Sequence, residues 1–181
     1  SSPVLRDKAL RKALLGGTDI QRLRTAGNAD APSLNVPFIP TQIGAPNTLS
    51  YLPAFNTKTA NSQLTKLGWK KQADGSRKKK KQTLMLRVVA RKDGGHATLL
   101  RELARQWKEL GVSVQVTEFE QVPGGQSFVQ SVLQPRAYDV LINELIIGAD
   151  PDVFAYWHSS QAGAAGLNFS NYKSKLADDI L

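Results

Sequence analysis

Cysteine is absent from the 181 residues, methionine occurs once and histidine twice. Without thiols there is no disulfide, no thiolate metal site and no cysteine nucleophile. No run of about 18 apolar residues occurs, so no segment reads as a membrane-spanning helix. The opening stretch, SSPVLRDKALRKALL, does not read as a secretory leader. No Gly-x-Ser-x-Gly elbow is present. The glycine pairs 16–17, 94–95 and 124–125 lack the Gly-Lys-Ser/Thr ending of a phosphate-binding loop. Composition alone still allows a Ser-His-Asp triad, but without the elbow no hydrolase site is assigned, and neither enzymatic activity nor a cofactor is expected.

What is there suffices for a core: 41% hydrophobic and 22% charged residues, as in ordinary globular chains. The formal net charge is +9, and Arg77 to Lys81 supply five of those positive charges. The excess is therefore partly a local patch. The run SRKKKKQ has no interleaved aromatic for base stacking. It reads as an exposed basic connection over 74–82, after the turn signal ADGS.

Residues 3–15 predict a helix with Pro3 in its first turn. Leu10, Ala13 and Leu14 share one face, and Gly16-Gly17 ends it. Residues 25–50, rich in Pro, Asn, Gly and Ala, read as a long loop. A short helix follows over 56–67, capped by Asn56 or Thr57. From residue 83 the pattern is regular. TLMLRVVA (83–90) is a strand, and HATLLRELARQWKEL (96–110) an amphipathic helix. VSVQVTEF (112–119) alternates as a half-covered strand. GQSFVQSVLQ (125–134) is a second helix. YDVLINELII (138–147) is apolar enough for a strand covered on both faces. The order β-α-β-α-β predicts an α/β fold with a mostly parallel sheet and right-handed crossovers. Ligands of such sheets sit beyond the carboxyl ends of the strands.

The stretch GADPDVF follows the last of these ends. Asp150 is a helix cap before Pro151, with Asp152 in the first turn. Asp150, Asp152 and His158 are ligand types that can share an ion, but their spacing matches no known loop, so no metal site is assigned. His96, behind Gly94-Gly95, reads as a solvated residue at a helix start.

Five stretches in order resemble the bacterial extracellular solute-binding proteins of family 5, the peptide receptors of ABC importers. DKALRKALLGGTD is similar to the family's opening helix through Asp7, Leu10, Arg11, Ala13, Leu14 and Asp19, with Gly17 where the family prefers alanine. FNTKTANSQLTKLGW carries Ala60, Leu64, Gly68 and Trp69 in place, but Asn56-Thr57 replaces Asp-Pro. LARQWKELGVSVQV looks like the family's helix-to-strand passage. YDVLINELIIGADPDVF resembles its Tyr-Asp strand running into Asp-Pro. NFSNYKSKLADDIL resembles its Asn-x-Ser-x-Tyr stretch. Asp74, Gly75 and Arg77 fit a polar turn that the family leaves variable and exposed.

The resemblance implies one lobe of a periplasmic-binding-protein-like fold, residues 1–181 being a single lobe of a larger two-lobed receptor. It implies a peptide or other small solute as ligand, ABC permease subunits and the receptor's first lobe as partners, and an extracytoplasmic place, periplasmic or as a cell-surface lipoprotein. It implies a ligand-binding strand end at Asn143, Glu144, Leu145, Ile146, Ile147 and Gly148, with Asn168 and Tyr172 at the same mouth. Related peptide receptors hold the ligand's ammonium group with an aspartate three residues before the Asp-Pro. Ile147 stands there, and Glu144 is an imperfect substitute. The rival reading is a stand-alone nucleic-acid-binding α/β domain using Lys78 to Lys81.

Overall fold

The computed structural model describes residues 2–27, 34, 52–93, 95–146 and 152–181. Most of the 25–50 loop, and Gly94, Ile147, Gly148, Asp150 and Pro151, lie outside the described residues.

The opening helix is split. A 3-10 turn, Val4–Arg6, precedes α1, Lys8–Gly16. Asp7 makes the break: its carboxylate accepts from the Ala9 and Leu10 amides, which fixes the first turn of α1 at Lys8 rather than at Pro3. Gly17 closes α1. A Cβ there would stand 2.6 Å from Leu110 Cδ1 and 3.0 Å from Ala60 Cβ, so glycine allows the close approach. Next come α2, Ile20–Ala26, and α3, Thr57–Lys66, the latter capped by the Asn56 side chain accepting from the Thr59 amide.

The basic stretch is not a loose connection. It folds as an antiparallel meander of β1, Lys70–Lys71, β2, Arg77–Lys79, and β3, Gln82–Thr83. Lys78 to Lys81 are exposed, as expected, but Arg77 is buried. Its Nε donates to Leu110 O, Nη1 to Trp69 O and Thr65 Oγ1, and Nη2 to Asn61 Oδ1 and O. Burial lowers its pKa. One guanidinium thus ties the meander to α3 and to the helix end at Leu110. A serine- and lysine-rich context hides such a residue from sequence reading.

The second sheet is parallel, in the order β5-β4-β6, from β4, Met85–Arg91, β5, Ser113–Phe119, and β6, Val140–Ile142. The long helix α4, His96–Glu109, crosses from β4 to β5 and buries Leu100, Leu103 and Trp107. On β4 the pleat sends Leu86, Val88 and Ala90 into a core with α1, α3 and α4. Val89 joins Phe128, Val132 and Tyr138 on the other face. The central strand is therefore covered along one side and, on the other, at Val89, while Met85, Arg87 and Arg91 are exposed.

Three predicted elements differ in extent. The helix expected over 125–134 is one wide turn, Val129–Leu133, closed by Gln134 N donating to Val129 O, and Pro135 follows it. The strand expected over 138–147 pairs only from Val140 to Ile142: its ladder stops opposite Ala90, one residue before β4 ends at Arg91. Residues 144–146 are exposed instead of doubly covered. On β5, Val112 and Val114 point inward, but Val116 is 41% exposed because β5 is an edge strand.

Beyond the sheet lie α5, Phe154–Trp157, a 3-10 turn Ser159–Ala162, and α6, Lys175–Asp178. Asp152 precedes α5 rather than sitting in its first turn, and its carboxylate accepts from the Phe154 amide.

Candidate ligand-binding site

In chain order the first strand of the parallel sheet is its middle one. The connections leaving β4 and β5 therefore run to opposite sides, which puts the topological switch point of the sheet between the carboxyl ends of β4 and β6. Asp93, Gly95 and His96 follow β4 at this end, and Asn143 and Glu144 follow β6. His96 bridges them. Its Nε2 lies 3.3 Å from Glu144 Oε1, and its Nδ1 lies 2.9 Å from Asp93 O and 3.6 Å from Asp93 Oδ1. The side chain is 13% exposed, so the reading of His96 as solvated is corrected: flanking oxygens and the start of α4 enclose it. Glu144 itself is largely in solvent.

Past Glu144, Leu145 is 44% exposed and Ile146 is 99% exposed. Two apolar side chains, Leu145 and Ile146, thus stand bare just beyond the end of the sheet. On the other side of β4 a cleft of ≈ 370 Å³ is lined by Arg91, Lys92, Asp93, Phe119, Glu120 and Gln121. Lys92 Nζ and Glu120 Oε2 pair across it at 2.6 Å. The hydrogen bond that Lys92 donates to Glu120 raises the Lys92 pKa and keeps the pair ionic. Arg91 lies over the Phe128 ring at 4.8 Å and pairs with Asp93 at 3.6 Å.

The remaining expected residues divide sharply. Asn168 is fully buried. Its Nδ2 donates to Tyr172 O, His158 O and Trp157 O, and its Oδ1 accepts from Tyr172 N and Ser170 Oγ. All of its polar capacity is spent on the chain itself, so it is a positioning residue and not a lining one. Tyr172, which it holds, is 43% exposed and meets Trp157 edge-on at 5.9 Å. The described residues hold no group of three or more metal-ligand side chains. His158 stacks on Phe154 at 4.2 Å, and its Nδ1 accepts from the Ser160 amide.

Two residues fix this frame: Arg136, which sequence reading passed over, and Asp139 of the Tyr-Asp pair. Arg136, nine-tenths buried at φ +50°, reaches the carbonyls of Ala162, Gly163, Gly166 and Asn168 and the side chain of Asn171. Asp139 accepts from the Arg87 amide at 2.8 Å and pairs with its guanidinium. Burial pushes the Asp139 carboxyl up, but the bonds from Arg87 outweigh it and hold the pKa low. The neighbouring Tyr138 hydroxyl donates to Phe169 O. Tyr-Asp is thus a clasp that fixes the entry of β6.

A mixed α/β unit with an open strand end at a topological switch point is an architecture for binding a ligand. Residues 1–166 match the profile of bacterial extracellular solute-binding proteins, family 5 middle, and the chain belongs to that family. The family is one of solute-binding proteins and not of enzymes. The chain superposes on the oligopeptide-binding protein AppA of Bacillus subtilis, in complex with a nonapeptide, with a TM-score of 0.84 at 22% identity. That match covers 99% of this chain and 36% of AppA. NikZ from Campylobacter jejuni, in complex with Ni(L-His), gives 0.81 at 23% identity, over 98% of this chain and 35% of NikZ. Lactococcal OppA with an endogenous peptide gives 0.75 at 20% identity, over 99% and 33%. This chain therefore spans about a third of those proteins, and at these identities the likeness shows the fold. A search of curated proteins gives no match.

Proposed function

We propose that this chain is the ligand-gripping second lobe of an ABC-importer receptor for peptide-like solutes. The solute lies along Asn143 to Ile146 and on into Ile147 and Gly148, and a first lobe closes over it. Tyr172 flanks the mouth, and Asn168 holds Tyr172 in place. The observation that carries this reading is the exposed end of β6, with Ile146 bare beside the His96–Glu144 bridge. An extended ligand there gains main-chain pairing like an added strand, which is tolerant of side-chain identity. The family description as bacterial extracellular solute-binding proteins, and relatives that bind peptides, support it. The complete receptor would work outside the cytoplasmic membrane, anchored there as a lipoprotein or free in the periplasm, and deliver its solute to permease subunits.

The ligand's amino terminus is not fixed by this strand end. Glu144 faces solvent with one oxygen beside His96, and an isoleucine at 147 offers no charge-assisted hydrogen bond. The test is calorimetry with peptides in free and N-acetylated forms on the two-lobed receptor, and on this chain alone. Both forms should bind the receptor with similar affinity, and this chain alone should bind neither at micromolar concentration. Micromolar binding by the single chain would refute the half-site. Loss of binding on acetylation would show that an acidic group does hold the ammonium.

A further inference from the structure

The lysine meander is not absorbed by the ligand reading. Between Lys70 and Lys81 there are seven cations and one carboxylate, Asp74, a local charge of +6 within a total of +9. The fold concentrates this charge. Lys70 and Lys78 are direct cross-strand partners, as are Lys71 and Arg77. Like charges facing each other across strands are destabilising. Asp74 relieves them only in part: its Oδ1 accepts from the Ser76 amide at 2.9 Å and hydroxyl at 2.7 Å, bonds that lower its pKa first, with a smaller lowering by the charge of Lys78. Among the described residues, none of Lys70, Lys71 and Lys78 to Lys81 forms an ion pair within 4.0 Å, although Lys71 Nζ donates to Glu109 O. The turn between Lys79 and its partner Gln82 places Lys80 at φ +55°, a position that favours glycine or asparagine. The chain thus keeps a lysine even where the backbone disfavours one.

We infer that this meander docks on an anionic phospholipid bilayer. Its charges are lysine ammonium groups on flexible stems, which suit a diffuse array of headgroup phosphates. The exposed patch carries no arginine fork, and the adjacent aromatic, Trp69, is buried, so stacking on nucleic-acid bases has no platform. The position fits as well. β3 leads through Leu84 into the amino end of β4, and the proposed ligand site lies at its carboxyl end. Seven strand residues separate the two, about 23 Å. A lobe resting on a membrane by its meander keeps that end free. This inference does not depend on the identity of the solute.

The experiment is co-sedimentation of this chain with vesicles of phosphatidylcholine alone, or of phosphatidylcholine and phosphatidylglycerol in equal parts. Binding is expected to the anionic vesicles only, and to weaken steeply with salt. Each lysine at a surface accounts for about a fivefold gain, so the quadruple change of Lys78 to Lys81 to serine should lower binding by on the order of a hundredfold or more. A control changes Lys8, Lys12, Lys173 and Lys175 to serine, removing the same charge from exposed sites elsewhere. It should lower binding far less. Circular dichroism confirms that each variant folds. No binding to anionic vesicles, equal losses in the two variants, or tighter binding to duplex DNA than to vesicles at equal phosphate would each overturn the inference.

Discussion

Replacing Arg77 by alanine tests how the basic meander is held. The guanidinium serves the carbonyls of Leu110, Trp69 and Asn61, and the side chains of Asn61 and Thr65. Hydrogen bonds to a charged donor contribute about 1.5–3 kcal/mol each, and a buried carbonyl left unpaired costs about 1–3 kcal/mol. These terms do not add fully, because the Thr65 and Asn61 side of the pocket admits water once the side chain is gone. A net loss of about 3–5 kcal/mol follows, the range for breaking a buried polar network. For a chain of this size that is roughly 6–20 °C in melting temperature. Arg77→Lys should recover less than half, since one ammonium cannot span acceptors on both α3 and the end of α4. Urea unfolding followed by tryptophan fluorescence gives the difference directly. A loss below about 1 kcal/mol would mean that water replaces the guanidinium without cost, and the account of the meander's anchorage would fail. The four exposed lysines beside it should change stability by no more than about 0.5 kcal/mol each.

Asn168→Ala should cost about 2–4 kcal/mol, since three carbonyls and two donors lose a partner at a fully buried site, and the change should also free the Tyr172 ring, as near-UV circular dichroism would report. Gly95→Ala should destabilise more than a surface change allows, because a Cβ there would stand 2.0 Å from Gly27 O, a backbone atom that cannot step aside; an unchanged melting temperature would contradict that close approach. The Glu102 carboxyl is held down at about 2, from an ordinary value of 4.5, by bonds from Arg105 and then Gln106. A depressed carboxyl stabilises above its unfolded pKa, and that contribution is lost as pH falls from about 4.5 towards 2. With Arg105 partly in solvent the contribution is about 1 kcal/mol. The stability gap between the parent chain and Glu102→Gln should therefore close over that window in acid titrations.

The parallel sheet was legible because its signals are periodic. Leu86, Val88 and Ala90 alternate, Leu100, Leu103 and Trp107 recur at helical spacing, and Gly111 at φ +84° ends the passage. The extent of β6 was not legible. Leu145 and Ile146 are as apolar as Leu141 and Ile142, and the ladder stops opposite Ala90, with only Arg91 of β4 beyond it. That limit leaves no mark on the strand itself. Arg77 and Arg136 were missed for a related reason. A buried guanidinium that bonds carbonyls needs no carboxylate at a readable spacing, and its partners are backbone groups that every residue carries. Of the expected site, Asn143 to Ile146 and Tyr172 stand at the surface, whereas Asn168 lies beneath it.

The recognisable motif residues are bonded within the chain itself, as a frame around the exposed strand end. Tyr138 and Asp139 fasten the entry of β6, one to Phe169 and the other to Arg87. Asn168 and Ser170 tie the turn that presents Tyr172. Arg136 draws the carbonyls of the 162–168 loop to one point. Each of these side chains needs its own chemistry, because the acceptor count and reach at each site admit few substitutes. The exposed strand end between them needs no particular side chain if a ligand pairs with its main chain. A lobe built in this way keeps a readable frame and a rim free to vary.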